Sequence, residues 1–495
     1  VGSEMCIRDR GGVVRNAEPF ALASFLNRMQ KQAKVPLIVG GDFERGSSMR
    51  VANTAKFPHA MAYGAANDLE STRKTGAATA RESRALGVHW VFAPVADVNN
   101  NPDNPIINTR SYGEDPKLVA AHVKAYIEGA HSLKRGGVLV TVKHFPGQGD
   151  TAVDTHLGIA RVTGDRERLD SLELLPFRAA IAAGVDGVMT GHLAVPAIEE
   201  REIPATVSSK MIQGLLRKEL GFEGLAVTDA MDMQGLTKQF PSGEAAVRAI
   251  EAGVDVLLIP ASADGAIKGL MDAVANRRIT ANRIHQSVAK ILTAKHKLGL
   301  FQNRLVNLEA ISEQIDAPEF SDLAQSVAEQ ALSTMKNEKG LVPLRDASSS
   351  CLITLAENRQ SSSGKRMIEE ALARAPKMRT IWLDPTLKPA DLTETASQLG
   401  NCSTIVIAAF VAAASFRGDV ALAPVFATFV DQVMALSKPV VFCAVGSPYL
   451  LRKVPMADAQ VATFSTTVTS EAALIRGLFG EVPMGARSPV TISAP

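Results

Sequence analysis

Cysteine is scarce in this chain of 495 residues, and Cys6, Cys351, Cys402 and Cys443 stand too far apart for a metal-ligand cluster. The last three lie in or beside apolar runs and read as buried thiols. An excess of either charge is also lacking: 53 basic against 51 acidic residues leave a net charge of +2. Without a basic stripe or an acidic tail, neither nucleic acid nor an anionic membrane is expected as the main partner, and a small, nearly neutral molecule is. No stretch approaches the ~18 apolar residues of a membrane span. The run 405–414 reads instead as a buried strand and the beginning of the segment after it, and a soluble protein without metal or cofactor is expected. Residues 1–10 begin at Val1 and show neither the apolar centre of a signal peptide nor a strand or helix period. That predicts a missing native start and leaves cytoplasmic and exported locations both open, as is the oligomeric state.

What is present is a rhythm. Short apolar runs at 35–39, 91–94, 137–142, 185–189, 224–228 and 254–259 alternate with longer amphipathic stretches, the βαβα pattern of a parallel sheet. Residues 182–188 and 251–257 nearly repeat one another as helix end, glycine stop and buried strand. Met211, Ile212, Leu215 and Leu216 form one helical stripe, and Ala245, Ala246, Ala249 and Ile250 another. With residues 12–15 as a further strand the run amounts to seven, so a TIM-type (β/α)8 barrel over 11–300 is expected, its first strand possibly missing. Residues 301–343 read as a linker and connecting helix, with the helix at 322–336. A second α/β rhythm then fills 344–495, with strands at 351–355, 380–383, 404–408, 439–444 and 461–464 and a helix at 366–374. That pattern predicts a smaller three-layer sandwich.

In such a barrel the reactive groups gather where strands end and βα loops begin. The runs end at Asp42; at Asp97 and, along the same loop, Arg110; at Lys143-His144; at His192; and at Asp229. Any one of these alone reads as a helix cap or a turn closure. Five converging positions read as a site. Gly147-x-Gly149-x-x-Ala152 has the outline of a dinucleotide loop, but Pro146 precedes it and no helix pattern comes after it to hold a pyrophosphate.

The stretch Lys143-His144-Phe145-Pro146-Gly147-Gln148-Gly149-Asp150-Thr151, with Asp154-Thr155-His156 after it, resembles the β-N-acetylglucosaminidases of glycoside hydrolase family 3. Val227-Thr228-Asp229-Ala230-Met231-x-Met233 resembles that family's nucleophile strand, and Thr109-Arg110-Ser111-Tyr112-Gly113 its sugar-binding arginine loop. Asp42-Phe43-Glu44-Arg45-Gly46, with Arg50 beyond it, resembles its other substrate loop. Two departures stand out: Gln148 replaces a usual histidine, and Phe43 and Arg45 replace a commoner Gln and Gly.

The resemblance implies a retaining glycosidase in which Asp229 attacks the anomeric carbon and His156, paired with Asp154 on a loop, serves as acid and base. An imidazole whose ring is held by a carboxylate can do both. Lys143 or Arg110 is expected to keep Asp229 ionised. Lys143, His144, Arg110, Asp42 and Arg50 become the sugar clamp, with His192 and Asp97 as weaker members. The implied substrate is a non-reducing terminal β-linked N-acetylglucosamine, on cell-wall fragments of the muropeptide type, and the whole site is expected on the barrel. Three rivals remain: a β-glucosidase or β-xylosidase of the same family, an N-acetylglucosaminide phosphorylase, and a sugar-binding protein without activity.

Overall fold

In the computed structural model of the chain, residues 5–7 are described by their backbone, and 16–133 and 137–492 in full. Six strands form the first sheet: β1 (Met5–Ile7), β2 (Val39–Gly41), β3 (Trp90–Val91), β4 (Leu139–Phe145), β5 (Gly187–Thr190) and β6 (Leu225–Thr228). They lie side by side in chain order, and every neighbouring pair is parallel. Stepping one place in the same direction at each crossover curls a twisted parallel sheet toward closure, the TIM-type barrel that the rhythm predicted. The segment after β6 continues the curl, because Val256 bridges Val227 and its carbonyl accepts from Thr228 N at 3.1 Å. The helices Leu175–Ala182 and Ser242–Ala252 lead into β5 and this segment, as the near-repeat implied.

One expectation at the start is corrected. Residues 1–10 show no strand period, yet Met5–Ile7 pairs in parallel with Val39–Gly41 ahead of the rest of the sheet. Three residues are too few for a period to show, so only the pairing reveals the strand. Residues 12–15, read as a strand, lie outside the described residues.

The second sheet joins β7 (Ser333–Asn337), β8 (Cys351–Leu355), β9 (Arg379–Leu383), β10 (Ile405–Val411), β11 (Val440–Gly446) and β12 (Ala459–Ala462) in the order β9-β8-β10-β11-β12-β7. Only β7 runs antiparallel. Alternate residues of the central strands feed two cores. Ile407, Ala409, Phe442 and Ala444 pack with Phe429 and Val433 of helix Pro424–Met434, whereas Val406, Ala408, Val441 and Cys443 pack with Met367, Leu474 and Ile475. Helices on both faces make this the expected three-layer sandwich.

The helix read over 322–336 is corrected to Pro318–Gln330, and the residues after it form β7. The helical period runs on through this stretch, but pairing with Ala459–Ala462 overrides it at the sheet edge. The reading of Cys351 and Cys402 as thiols is likewise corrected: they form a disulfide, with Cα atoms 5.7 Å apart. Cys351 opens β8 opposite Ile405, and Cys402 lies just ahead of β10, so the sheet brings together residues 51 apart in sequence. Cys443 is a buried thiol as read.

The second domain is tied to the barrel by side-chain contacts. Asn99 donates to the Tyr449 hydroxyl at 2.9 Å, Arg452 pairs with Asp103 at 2.8 Å, and the Thr491 hydroxyl donates to Glu114 at 2.6 Å. The loop after β10 reaches the barrel as well, where Phe416 N donates to Asp154 at 2.8 Å.

Candidate active site

A cavity of about 370 Å³ opens at the ends of the barrel strands. It is lined by Asp42, Arg50, Arg110, Lys143, His144, His156 and Asp229, together with Glu44, His59, Gln148 and the second-domain residues Ala413 to Phe416. Of the strand-end residues expected to converge, Asp42, Arg110, Lys143, His144 and Asp229 line it, and Asp97 and His192 do not.

The charged floor is a network. Lys143, two residues before the end of β4, places Nζ 2.6 Å from Asp42 and 2.8 Å from Glu44. Arg110 grips both oxygens of Glu44, at 2.9 and 2.8 Å, and donates a third bond to Ile106 O at 2.9 Å. Arg50 lies 3.6 Å from Asp42. Burial opposes the charge on Glu44, but Arg110 and Lys143 outweigh it and hold the carboxyl well below the usual range. Burial likewise opposes the charge on Lys143, and Asp42 and Glu44 raise its proton affinity above the ordinary lysine value. The two cations expected to act on Asp229 are thus engaged by Asp42 and Glu44.

His144 is held from behind. Its Nδ1 lies 2.7 Å from Asp97, and the same carboxylate accepts from the main-chain N–H groups of His144 at 3.1 Å and Gln148 at 2.7 Å. Asp97 is fully buried and does not line the cavity, so its place is behind His144. His192 is also buried outside the lining, between the Thr206 hydroxyl at 2.8 Å and Ala230 O at 2.9 Å. It steadies the backbone next to Asp229. Asp229 directly follows β6, with its N–H on Thr190 O at 3.0 Å and one carboxylate oxygen accepting from Ala230 N at 2.7 Å.

The loop after β4 carries Asp154 and His156. Gly147 sits at φ 132°, and a Cβ on Gly149 would come within 1.6 Å of Val98 O, so both motif glycines are required by the backbone path. Farther along, Asp154 accepts from the His156 main-chain N–H at 2.9 Å and lies 2.7 Å from its Nδ1. Burial disfavours the Asp154 anion, but the bonds from His156 and from Phe416 N prevail and keep it ionised below the usual range. Gln148 holds this loop by donating to the Thr155 hydroxyl at 3.1 Å.

The first 294 residues decide the family. The model of the "Glycosyl hydrolase family 3 N terminal domain" matches residues 13–294. The chain belongs to glycoside hydrolase family 3. It is 30% identical to a β-N-acetylglucosaminidase/β-glucosidase of Cellulomonas fimi, over 97% of this chain and 88% of that one. It is 34% identical to β-hexosaminidase A of Pseudoalteromonas piscicida, over 68% of this chain and 59% of that one. A family 3 β-N-acetylglucosaminidase from Paenibacillus sp. str. FPU-7 superposes with a TM-score of 0.87 at 31% identity, covering 97% of this chain and 91% of that one. A β-glucoside phosphorylase superposes at 0.86 and 26% identity, covering 97% and 88%. Membership makes the chain a glycosidase with a carbohydrate substrate. No helix among the described residues is long and apolar enough to cross a membrane.

Two features of this family 3 site escaped sequence reading. Glu44 and His59 lie within or just beyond a loop whose charged ends drew the attention. Burial, and after it the charge of Arg45, pushes His59 down to about 3, and its Nδ1 lies 3.0 Å from the Ser465 hydroxyl of the second domain. The second miss is the loop after β10, which corrects the expectation that the barrel builds the whole site. The strand-end rule, applied to the second rhythm as it was to the first, would have marked it.

Proposed function

We propose that this family 3 glycosidase is a retaining β-N-acetylglucosaminidase that removes non-reducing terminal β-linked N-acetylglucosamine, with fragments of the peptidoglycan type as substrate. Asp229 is the nucleophile, and His156 is the acid and base. The observation that carries the reading is the 2.7 Å contact of His156 Nδ1 with Asp154 beside a cavity that Asp229 also lines. The names of the Cellulomonas, Pseudoalteromonas and Paenibacillus relatives support the sugar specificity. On this reading residues 11–300 are the catalytic barrel, 301–343 the connection and 344–495 the second domain.

Asp229 attacks the anomeric carbon while the glycosidic bond breaks, and the departing oxygen takes a proton from His156 Nε2. Asp154 orients the ring through Nδ1 and stabilises its charged form. Water then enters, gives its proton back to Nε2 and displaces Asp229, restoring the anion. Asp42, Arg50, Arg110, Lys143 and His144 hold the sugar hydroxyls, and Glu44 holds two of those cations in place.

The test is release of nitrophenol from matched N-acetylglucosaminide and glucoside substrates by the intact chain, Asp229→Asn and His156→Ala. Selective reaction of the N-acetyl substrate, abolished by the first change and strongly reduced by the second, is expected. Equal or faster reaction of the glucoside overturns the specificity. The likeness to a β-glucoside phosphorylase favours a second reading, in which phosphate replaces water. Formation of sugar 1-phosphate and a rate that climbs with added phosphate would identify it.

A further inference from the structure

The loop after β10 does more than close the cavity. Its base is fixed where Ala412 N donates to Glu357 at 3.2 Å, and its tip reaches across to the barrel. There Phe416 N donates to Asp154 Oδ2 at 2.8 Å, while Asp154 Oδ1 lies 2.7 Å from His156 Nδ1. The Phe416 ring packs on the His156 imidazole with centroids 4.8 Å apart and planes tilted by 55°. Phe416 holds φ at 68°, a conformation uncommon outside glycine, asparagine and aspartate, and its large apolar side chain stays 38% exposed in the cavity wall. One residue of the second domain thus contacts both members of a pair that belongs to the barrel.

We infer that Phe416 is a positioning residue for acid/base catalysis: its N–H and ring hold Asp154 and His156 in their working orientation, so the second domain is part of the catalytic apparatus. The inference rests on the reading of Asp154 and His156 as the acid/base pair. Two oxygens of one carboxylate serve two purposes here. Oδ1 fixes the imidazole, and Oδ2 is anchored by a donor from outside the barrel. The ring packs against the imidazole at a tilt of 55° and limits its rotation away from the departing oxygen. The effect belongs to proton transfer and not to binding of the sugar, for which the proposed clamp residues lie on the barrel.

Leaving groups separate these roles, because dinitrophenolate departs without a proton and phenolate needs one. We would measure kcat/KM for phenyl and 2,4-dinitrophenyl N-acetyl-β-glucosaminides with the intact chain, Phe416→Gly, Phe416→Tyr and His156→Ala. Phe416→Gly frees the backbone from its φ and removes the ring, and should lower the phenyl rate on the order of tenfold while the dinitrophenyl rate changes less than about twofold. Phe416→Tyr keeps the ring and should restore the phenyl rate. Equal losses on both substrates, or no loss on either while His156→Ala is selective for phenyl, overturn the positioning role. No leaving-group selectivity in His156→Ala itself overturns the acid/base pair on which the inference rests.

Discussion

At the scale of single residues, Glu44 shows how a group absent from the predicted sugar clamp governs it. It lies against both Arg110 and Lys143, each largely buried, and removing it leaves two cations short of a partner. Loss of one member of a buried ion cluster costs about 3–5 kcal/mol. Glu44→Gln should therefore lower the unfolding free energy by roughly that amount in a denaturant titration. On the proposed function it should also raise KM more than it lowers kcat, because a sugar clamp acts before and during reaction alike. Asp154→Asn should do the reverse, since the amide preserves shape while withdrawing the charge that stabilises a protonated His156. A kcat loss on the order of a hundredfold with KM little changed is expected in steady-state assays. The pairing of Asp154 with His156 was legible from their motif. Glu44 stands within a legible loop and is passed over there, because carboxylates that pair with cations and carboxylates that react look alike in a sequence.

At the scale of elements, the two loops that meet over the cavity are set by different physics. The loop after β4 is dictated locally: Gly149 faces Val98 O with no room for a side chain. Gly149→Ala should collapse activity and cost ~3 kcal/mol or more in stability, read from thermal unfolding with and without the substitution. The loop after β10 depends on where a distant sheet lies. That sheet carries the Cys351–Cys402 disulfide, which closes a loop of 51 residues and, by the chain-entropy account, contributes about 4 kcal/mol. A thiol reductant should lower the midpoint of unfolding of the intact chain and leave that of Cys351→Ala/Cys402→Ala unchanged, as monitored by circular dichroism. The strand β7 belongs to the same class, because its helical period yields only when β12 is present to pair with it.

At the scale of the whole molecule, buried titrating groups set opposing dependences on pH. His59, His89 and His122 are held neutral, chiefly by burial, with affinities lowered to about 3, 3 and 4. An unfolded histidine takes up its proton near 6.5. As pH falls from there toward 4 the unfolded chain binds protons that the folded chain refuses, so these residues remove stability in that window and cost nothing above it. Glu471 works in the other direction: burial raises it to about 7, so the folded chain keeps a proton the unfolded one loses, and stability is lost as pH rises from about 4.5 to 7. His122→Gln should therefore gain on the parent chain as pH is lowered below 6.5, and Glu471→Gln should gain as pH is raised through 4.5 to 7, in midpoints of thermal unfolding recorded across that range. A pH-independent offset for either would show that its titration is not coupled to folding. The two α/β rhythms, the strand-end residues and the motif loop are readable from residue order alone, because period, glycine placement and βα order are local properties of the chain. The partners emerge from the folded chain: Asp97 stands behind His144, Cys351 meets Cys402, and Phe416 reaches Asp154 from 262 residues away. Those contacts are made between segments whose separation in sequence carries no trace of their distance in space.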